Sequence, residues 1–219
     1  MPPDESRIQE LDLRQLNTTG RDERLDDKAN TLSLIRRQGV RRMTHVYCNH
    51  DAAWSLDVLR GAAATLEELD LWYPRAEHLG VVHAMPRLRR LRLCHDDTLA
   101  KQYPGALPAL PQPSSLQWLG LNGLPRGTVE SLLRAHGAAL DELWLLVGTP
   151  GGAEWPKECR DLHGLLGRCG VRAARLVLRR YWVSHEKAAC RKQLDAVRRA
   201  LPATLVQCSM CDKVPLEDV

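Results

Sequence analysis

The hexapeptide LEELDL at residues 66–71 recurs as LRRLRL at 88–93, as LQWLGL at 116–121 and as LDELWL at 140–145. Each copy places Leu at its first, fourth and sixth positions: Leu66, Leu69, Leu71; Leu88, Leu91, Leu93; Leu116, Leu119, Leu121; Leu140, Leu143, Leu145. The last two Leu of each copy alternate around one residue, which is the period of a strand that buries one face. Weaker copies are Ile8, Leu11, Leu13 and Ala173, Leu176, Leu178. Val40 to Met43 carries only the first half, with His45 where the third apolar residue should stand. The copies start at 8, 40, 66, 88, 116, 140 and 173, in steps of 22 to 33 residues, and Leu205 to Cys208 supplies a closing strand.

A second similarity surrounds the first. VLRGAAATLEELDL (58–71) aligns without gaps to LLRAHGAALDELWL (132–145), and both read as an amphipathic helix running into a short strand. The patterning predicts helices near 24–38, 52–63, 127–136, 160–168 and 186–200. Gly39, Gly137 and Gly170 stand where a left-handed residue would end three of them. In YPGALPALPQP (103–113) the prolines exclude a regular helix. One strand plus one return segment is too small to bury its own Leu face, so successive units must stack. The predicted fold is α/β: a solenoid with a curved parallel sheet and helices on its convex side. It forms one domain over 1–219, with about seven irregular repeats from residue 8 to residue 208.

These repeats resemble the leucine-rich-repeat superfamily, whose period is about 20–29 residues. Within it they are most similar to the repeat region of F-box/leucine-rich-repeat proteins, on the helix-then-strand phrase LLRAHGAALDELWL. The family's ninth-position Asn or Cys is met by Cys48 alone; Pro74, Asp96, Leu124, Gly148 and Tyr181 hold that slot elsewhere. An F-box needs about forty residues of its own, and only seven precede the first candidate strand, so that module is expected to be missing. The resemblance implies a protein-binding scaffold, as in the substrate-recognition subunit of a ubiquitin ligase. A stand-alone enzyme inhibitor or scaffold of the ribonuclease-inhibitor type is the alternative.

Composition bounds the function. The net charge of +4 is small, and both signs are interspersed, which argues against a dedicated nucleic-acid binder. Of the 31 basic residues only 6 are Lys, and Phe is absent, a bias that a GC-rich gene explains. No apolar run approaches the roughly 20 residues that span a bilayer, so no membrane association is expected. Seven Cys in irregular spacing argue against a secreted disulfide framework. The expected location is the cytoplasm; the small Arg36-Arg37 and Arg41-Arg42 cluster leaves the nucleus open.

Strand alternation turns template positions 3, 5 and 7 away from the Leu core, onto the concave face. Position 3 carries Glu10, Arg42, Glu68, Arg90, Trp118, Glu142 and Arg175. Position 5 carries Asp12, Thr44, Asp70, Arg92, Gly120, Trp144 and Val177. Position 7 carries Arg14, Val46, Trp72, Cys94, Asn122, Leu146 and Arg179. Trp and Arg are enriched at interface hot spots. The expected binding face is therefore Trp72, Trp118 and Trp144, with Glu68, Asp70, Arg90, Arg92, Asn122, Glu142, Arg175 and Arg179 around them. A protein segment with an apolar anchor and flanking charges would suit it. Single-stranded nucleic acid stacked on Trp is disfavoured by the interleaved acids.

Catalytic patterns are not found. There is no nucleophile elbow, phosphate-binding loop, dinucleotide fingerprint or H-E-x-x-H. Gly148 to Gly152 (GTPGG) lacks the Lys and Ser/Thr of a phosphate cradle and reads as a turn. Cys208-Ser-Met-Cys211 has the spacing of half a zinc knuckle, but structural zinc needs four ligands. Cys169, Cys190, His163 and His185 are the residues that would have to converge on it. The reading taken is two ordinary thiols, with no metal, no cofactor, no small-molecule substrate and no enzymatic activity.

Overall fold

A computed structural model of the chain describes residues 7–16, 24–95, 107–110, 113–151 and 154–214. They fall into two compact units, one within Met1–His95 and Leu110–Leu116, the other within Asp96–Ala109 and Gln117–Val219.

The first unit runs β1 (Ile8–Asp12), a 3-10 turn (Arg14–Leu16), α1 (Leu25–Gln38), β2 (Val40–Tyr47), α2 (Ala52–Ala62), β3 (Glu68–Trp72), α3 (Ala76–His83) and β4 (Arg90–Cys94). Its strands pair parallel and in chain order, with Met43 beside Leu69, Leu69 beside Leu91 and Leu71 beside Leu93. These Leu, together with Leu66 and Leu88, are buried with Ile35 of α1, Val58 and Leu59 of α2, and Leu79 and Val82 of α3. Each such side chain contributes about 1.5–3 kcal/mol by leaving water.

The second unit runs β5 (Trp118–Asn122), α4 (Arg126–His136), β6 (Glu142–Leu146), α5 (Leu162–Arg168), β7 (Arg175–Arg179), a 3-10 turn (Trp182–Ser184), α6 (Lys187–Ala200) and β8 (Leu205–Cys208). Its strands are again parallel and in chain order; Leu119, Leu143, Leu176 and Val206 form one row, and Leu145 and Leu178 part of the next. Leu132 and Leu133 of α4, Leu165 and Leu166 of α5, and Leu194 and Val197 of α6 complete the core. Each of β3, β4, β5, β6 and β7 starts at the third and ends at the seventh residue of its repeat. That is the stretch over which alternation predicts a strand.

Three local expectations change. Helix α3 was not foreseen, because Pro74 and Pro86 bracket only eight helical residues that include Gly80, Val81 and Val82. Gly39 has the expected positive φ of 72°, as does Gly170 at 67°, but Gly137 is right-handed with φ −57°. At Gly137 the need is space: a Cβ there would stand 2.4 Å from the Leu133 carbonyl oxygen. Strand β2 is the longest, eight residues, with a register shift between Met43 and Val46 and His45 at φ +55°. The extra residue turns Val46 into the core, so position 7 on this strand belongs to Tyr47, beside Trp72. Of the proline-rich stretch, residues 107–110 and 113 are non-helical; 103–106 and 111–112, like Gly152 of the GTPGG turn, lie outside the described residues. No helix among the described residues is long and apolar enough to cross a membrane.

Candidate functional site

In the first unit the side of the strands away from the Leu rows is a ladder of alternating charge. Glu10, Arg42, Glu68 and Arg90 stand next to one another in register. Arg42 lies 3.7 Å from both the Glu10 and Glu68 carboxylates. One step along, Asp12 meets the His45 Nδ1 at 3.1 Å, and Asp70 pairs with Arg92 Nε at 3.8 Å. Opposite charges placed directly across neighbouring strands stabilise the sheet, and here they also prevent one sign from accumulating.

Above this ladder, at the carboxyl ends of β2, β3 and β4, aromatic rings gather. Tyr47 and Trp72 stack at 5.6 Å between centroids and 11° between planes. Trp72 Nε1 donates to Asp70 Oδ2 at 2.8 Å, and the Arg92 guanidinium lies 5.3 Å from the Trp72 ring. Tyr73, at φ +52°, sits 6.2 Å from Tyr47, and 5.6 Å from His95, which it meets edge-on. His50 lies 5.9 Å from Tyr47. Burial raises the Tyr47 phenol above its ordinary range, and the Asp70 carboxylate adds to this. Trp72 was expected here; Tyr47, His50, Tyr73 and His95 were not. The β2 bulge delivers Tyr47, and the other three lie past the strand ends.

In the second unit Trp118, Glu142 and Arg175 share one row, and Gly120, Trp144, Val177 and Gln207 the next. Glu142 Oε1 accepts from Trp144 Nε1 at 2.5 Å and from Arg175 Nη1 at 2.9 Å. Arg175 Nε in turn donates to Gln207 Oε1 at 2.9 Å. The Trp118 and Trp144 rings are 6.2 Å apart and tilted by 40°. Arg179 Nη1 donates to Asn122 Oδ1 at 3.4 Å.

Accessibility corrects the expected face in part. Trp72, Trp118, Glu68, Arg90, Arg92, Glu142, Arg175 and Arg179 are half-buried. Trp144 is only 5% exposed, because the Trp118 ring and the Glu142–Arg175 pair close around it. Asp70 is also buried, closed in by Arg92 and Trp72, as is Asn122, which holds Arg179; so is Cys94. Among the described residues the most exposed large apolar ones lie elsewhere: Trp182 at 84% and Val183 at 88%, in the turn after β7. Repeat periodicity does not reach that turn.

Beside that turn, four potential ligands converge. His185 follows it, Cys190 lies in the first turn of α6, Cys208 ends β8, and Cys211 lies in the turn beyond. The His185 Nε2 is 3.7 Å from Cys208 Sγ and 3.4 Å from Cys211 Sγ; the sulfurs of Cys211 and Cys190 are 4.0 Å apart. All four donor atoms lie within 4.8 Å of one another. Of the residues considered for such a set, His163 is exposed on α5 and Cys169 faces the Glu130 carbonyl at 3.7 Å, so neither joins it. No family model, no curated protein and no solved structure matches the chain.

Proposed function

We propose that this chain is a leucine-rich-repeat solenoid that binds a partner protein on the strand face opposite its Leu core. Its fold supports the reading through parallel strands in chain order, with helices following β2, β3, β5, β6 and β7 and the repeated Leu buried. The observation that carries the binding role is the aromatic cluster on the first unit, where Trp72 stacks on Tyr47, lies beside Arg92 and is tied to Asp70. A half-buried, pre-positioned Trp with Arg beside it loses little side-chain freedom on binding, which is what makes such groups effective anchors. Trp118, backed by Trp144 and Glu142, offers the second unit's equivalent.

The partner this face suits is a peptide or protein segment with an apolar or aromatic anchor and charges of both signs beside it. The test is affinity capture with the intact chain, run beside a Trp72→Ala, Trp118→Ala variant. Loss of the same partner from the variant, with its thermal unfolding still cooperative, supports the reading. A cullin-type ligase among the lost partners marks a substrate adaptor, whereas a single enzyme marks an inhibitor. Equal recovery by both proteins overturns the strand face as the binding surface.

A further inference from the structure

We infer that His185, Cys190, Cys208 and Cys211 form a structural site for one zinc(II) ion in the second unit. The inference stands apart from the proposed binding role. Zinc binds thiolate sulfur at about 2.3 Å and imidazole nitrogen at about 2.0–2.1 Å in a tetrahedron. The edges of that tetrahedron are then about 3.8 Å between sulfurs and about 3.5 Å between sulfur and nitrogen. Three of the six separations here are 4.0 Å for Cys211–Cys190, 3.7 Å for Cys208–His185 and 3.4 Å for Cys211–His185, and the other three lie within 4.8 Å. The donor atoms are thus spaced as the corners of one coordination sphere, too tightly to enclose a larger cluster.

The surroundings fit thiolates rather than thiols. The Cys208 amide donates to Asp212 Oδ2 at 2.7 Å, fixing the turn. Arg180 is 8% exposed and directs Nη2 at the Cys190 sulfur, 3.4 Å away, while Nη1 donates to the Val147 carbonyl at 2.9 Å. Its Nε has no hydrogen-bond partner, and none of the described carboxylates forms an ion pair with it. A guanidinium withdrawn from water needs a compensating negative charge. Three thiolates and one neutral imidazole around zinc carry a net charge of −1, which Arg180 neutralises; three thiols carry none. Loading transfers the three thiol protons to solvent.

Four protein ligands leave no open position, so the ion is structural rather than catalytic. It would join the segment after β7, the first turn of α6 and the end of β8, a four-residue strand that pairs with β7. A disulfide competes for the same sulfurs, but bonded sulfurs stand about 2.05 Å apart, well short of the 4.0 Å between Cys190 and Cys211.

Metal analysis of the full-length chain, purified reduced and without chelator, should find one zinc per chain. The stripped chain titrated with zinc(II) alone should bind one equivalent with a Kd below about 10⁻⁷ M. Cobalt(II) in its place should give sulfur-to-cobalt charge transfer and the intense visible bands of a tetrahedral centre. Cys211→Ser should weaken zinc binding at least about tenfold, and Cys169→Ser should leave it unchanged. Reduced wild-type chain that takes up no stoichiometric zinc overturns the proposal, as does iron in its place or a disulfide among these cysteines in the folded chain. If Cys211→Ser fails to fold, the cobalt spectrum of the wild-type chain still decides: octahedral, sulfur-free bands refute the site.

Discussion

Leu143 and Trp144 are neighbours on β6, point to opposite sides of the sheet, and are both withdrawn from water. Leu143→Ala should lower stability by about 2–5 kcal/mol, read from urea unfolding, because it opens a cavity between strand and helix layers. Trp144→Ala should also cost stability, about 3–5 kcal/mol, and not affinity alone, since it removes the support of Trp118 and the donor to Glu142. A neutral Trp144→Ala would return this residue to the accessible face on which alternation placed it. A third residue sets a pH dependence. His78 is fully buried; the Arg75 amide donates to its Nδ1 at 3.2 Å, so the ring proton sits on Nε2, 3.1 Å from the Ala52 carbonyl and 3.0 Å from Ser55 Oγ. Burial lowers the His78 pKa below its ordinary value of about 6.5. The unfolded chain therefore takes up this proton first as pH falls. The stabilisation is complete above about pH 6.5 and is lost as pH drops towards the lowered pKa. Between pH 7.5 and pH 5.5 the urea midpoint of the wild type should fall, and His78→Gln should flatten that difference; an undiminished slope in the variant counts against the assignment. Asp161 titrates in a separate window. Its hydrogen bond from Arg126 holds its pKa down to about 2, so its contribution is lost only below about pH 4.

At the scale of elements, helix boundaries follow capping chemistry that sequence partly displays. Asp51 caps α2 by accepting from the Trp54 amide at 3.1 Å and also holds the buried Lys28 ammonium at 2.9 Å. Asp51→Ala should cost about 1–3 kcal/mol in thermal or urea unfolding, more than an ordinary cap, because it also leaves Lys28 unpaired. Asp51→Asn, which keeps the cap but not the charge, should recover part of the loss. The four strands with a full repeat, β3 to β6, were legible because alternation and burial act within the six-residue copy itself. Strand β2 was legible only to Met43. Its bulge at His45 is set by pairing with β3, where Val46 must meet Leu71, and no local pattern carries that requirement. Helix α3 escaped for the opposite reason. Its local signals are weak, and it holds through the burial of Leu79 and Val82 and the internal partners of His78.

Across the whole molecule, each unit repeats one scheme: parallel strands in chain order, buried Leu rows, and polar or aromatic side chains paired with each other on the other side. A consequence for binding follows. Because the charges on that side are already paired, rising salt should weaken partner binding only modestly, whereas Trp72→Ala should weaken it more than about tenfold in titration calorimetry. A steep salt dependence with an unaffected Trp72→Ala variant would point to electrostatic binding elsewhere. The order of the strands, their parallel pairing and the burial of the repeated Leu were determined by the sequence itself, because burial follows from the spacing of Leu along a few consecutive residues. The enclosure of Trp144, the gathering of Tyr47, Trp72, Tyr73 and His95, and the meeting of His185, Cys190, Cys208 and Cys211 were decided only by the tertiary structure. Each depends on lateral register and on turns that bring distant parts of the chain within a few ångströms. One C-x-x-C pair in the sequence gives no sign that a helix and a loop will bring the other two ligands to it.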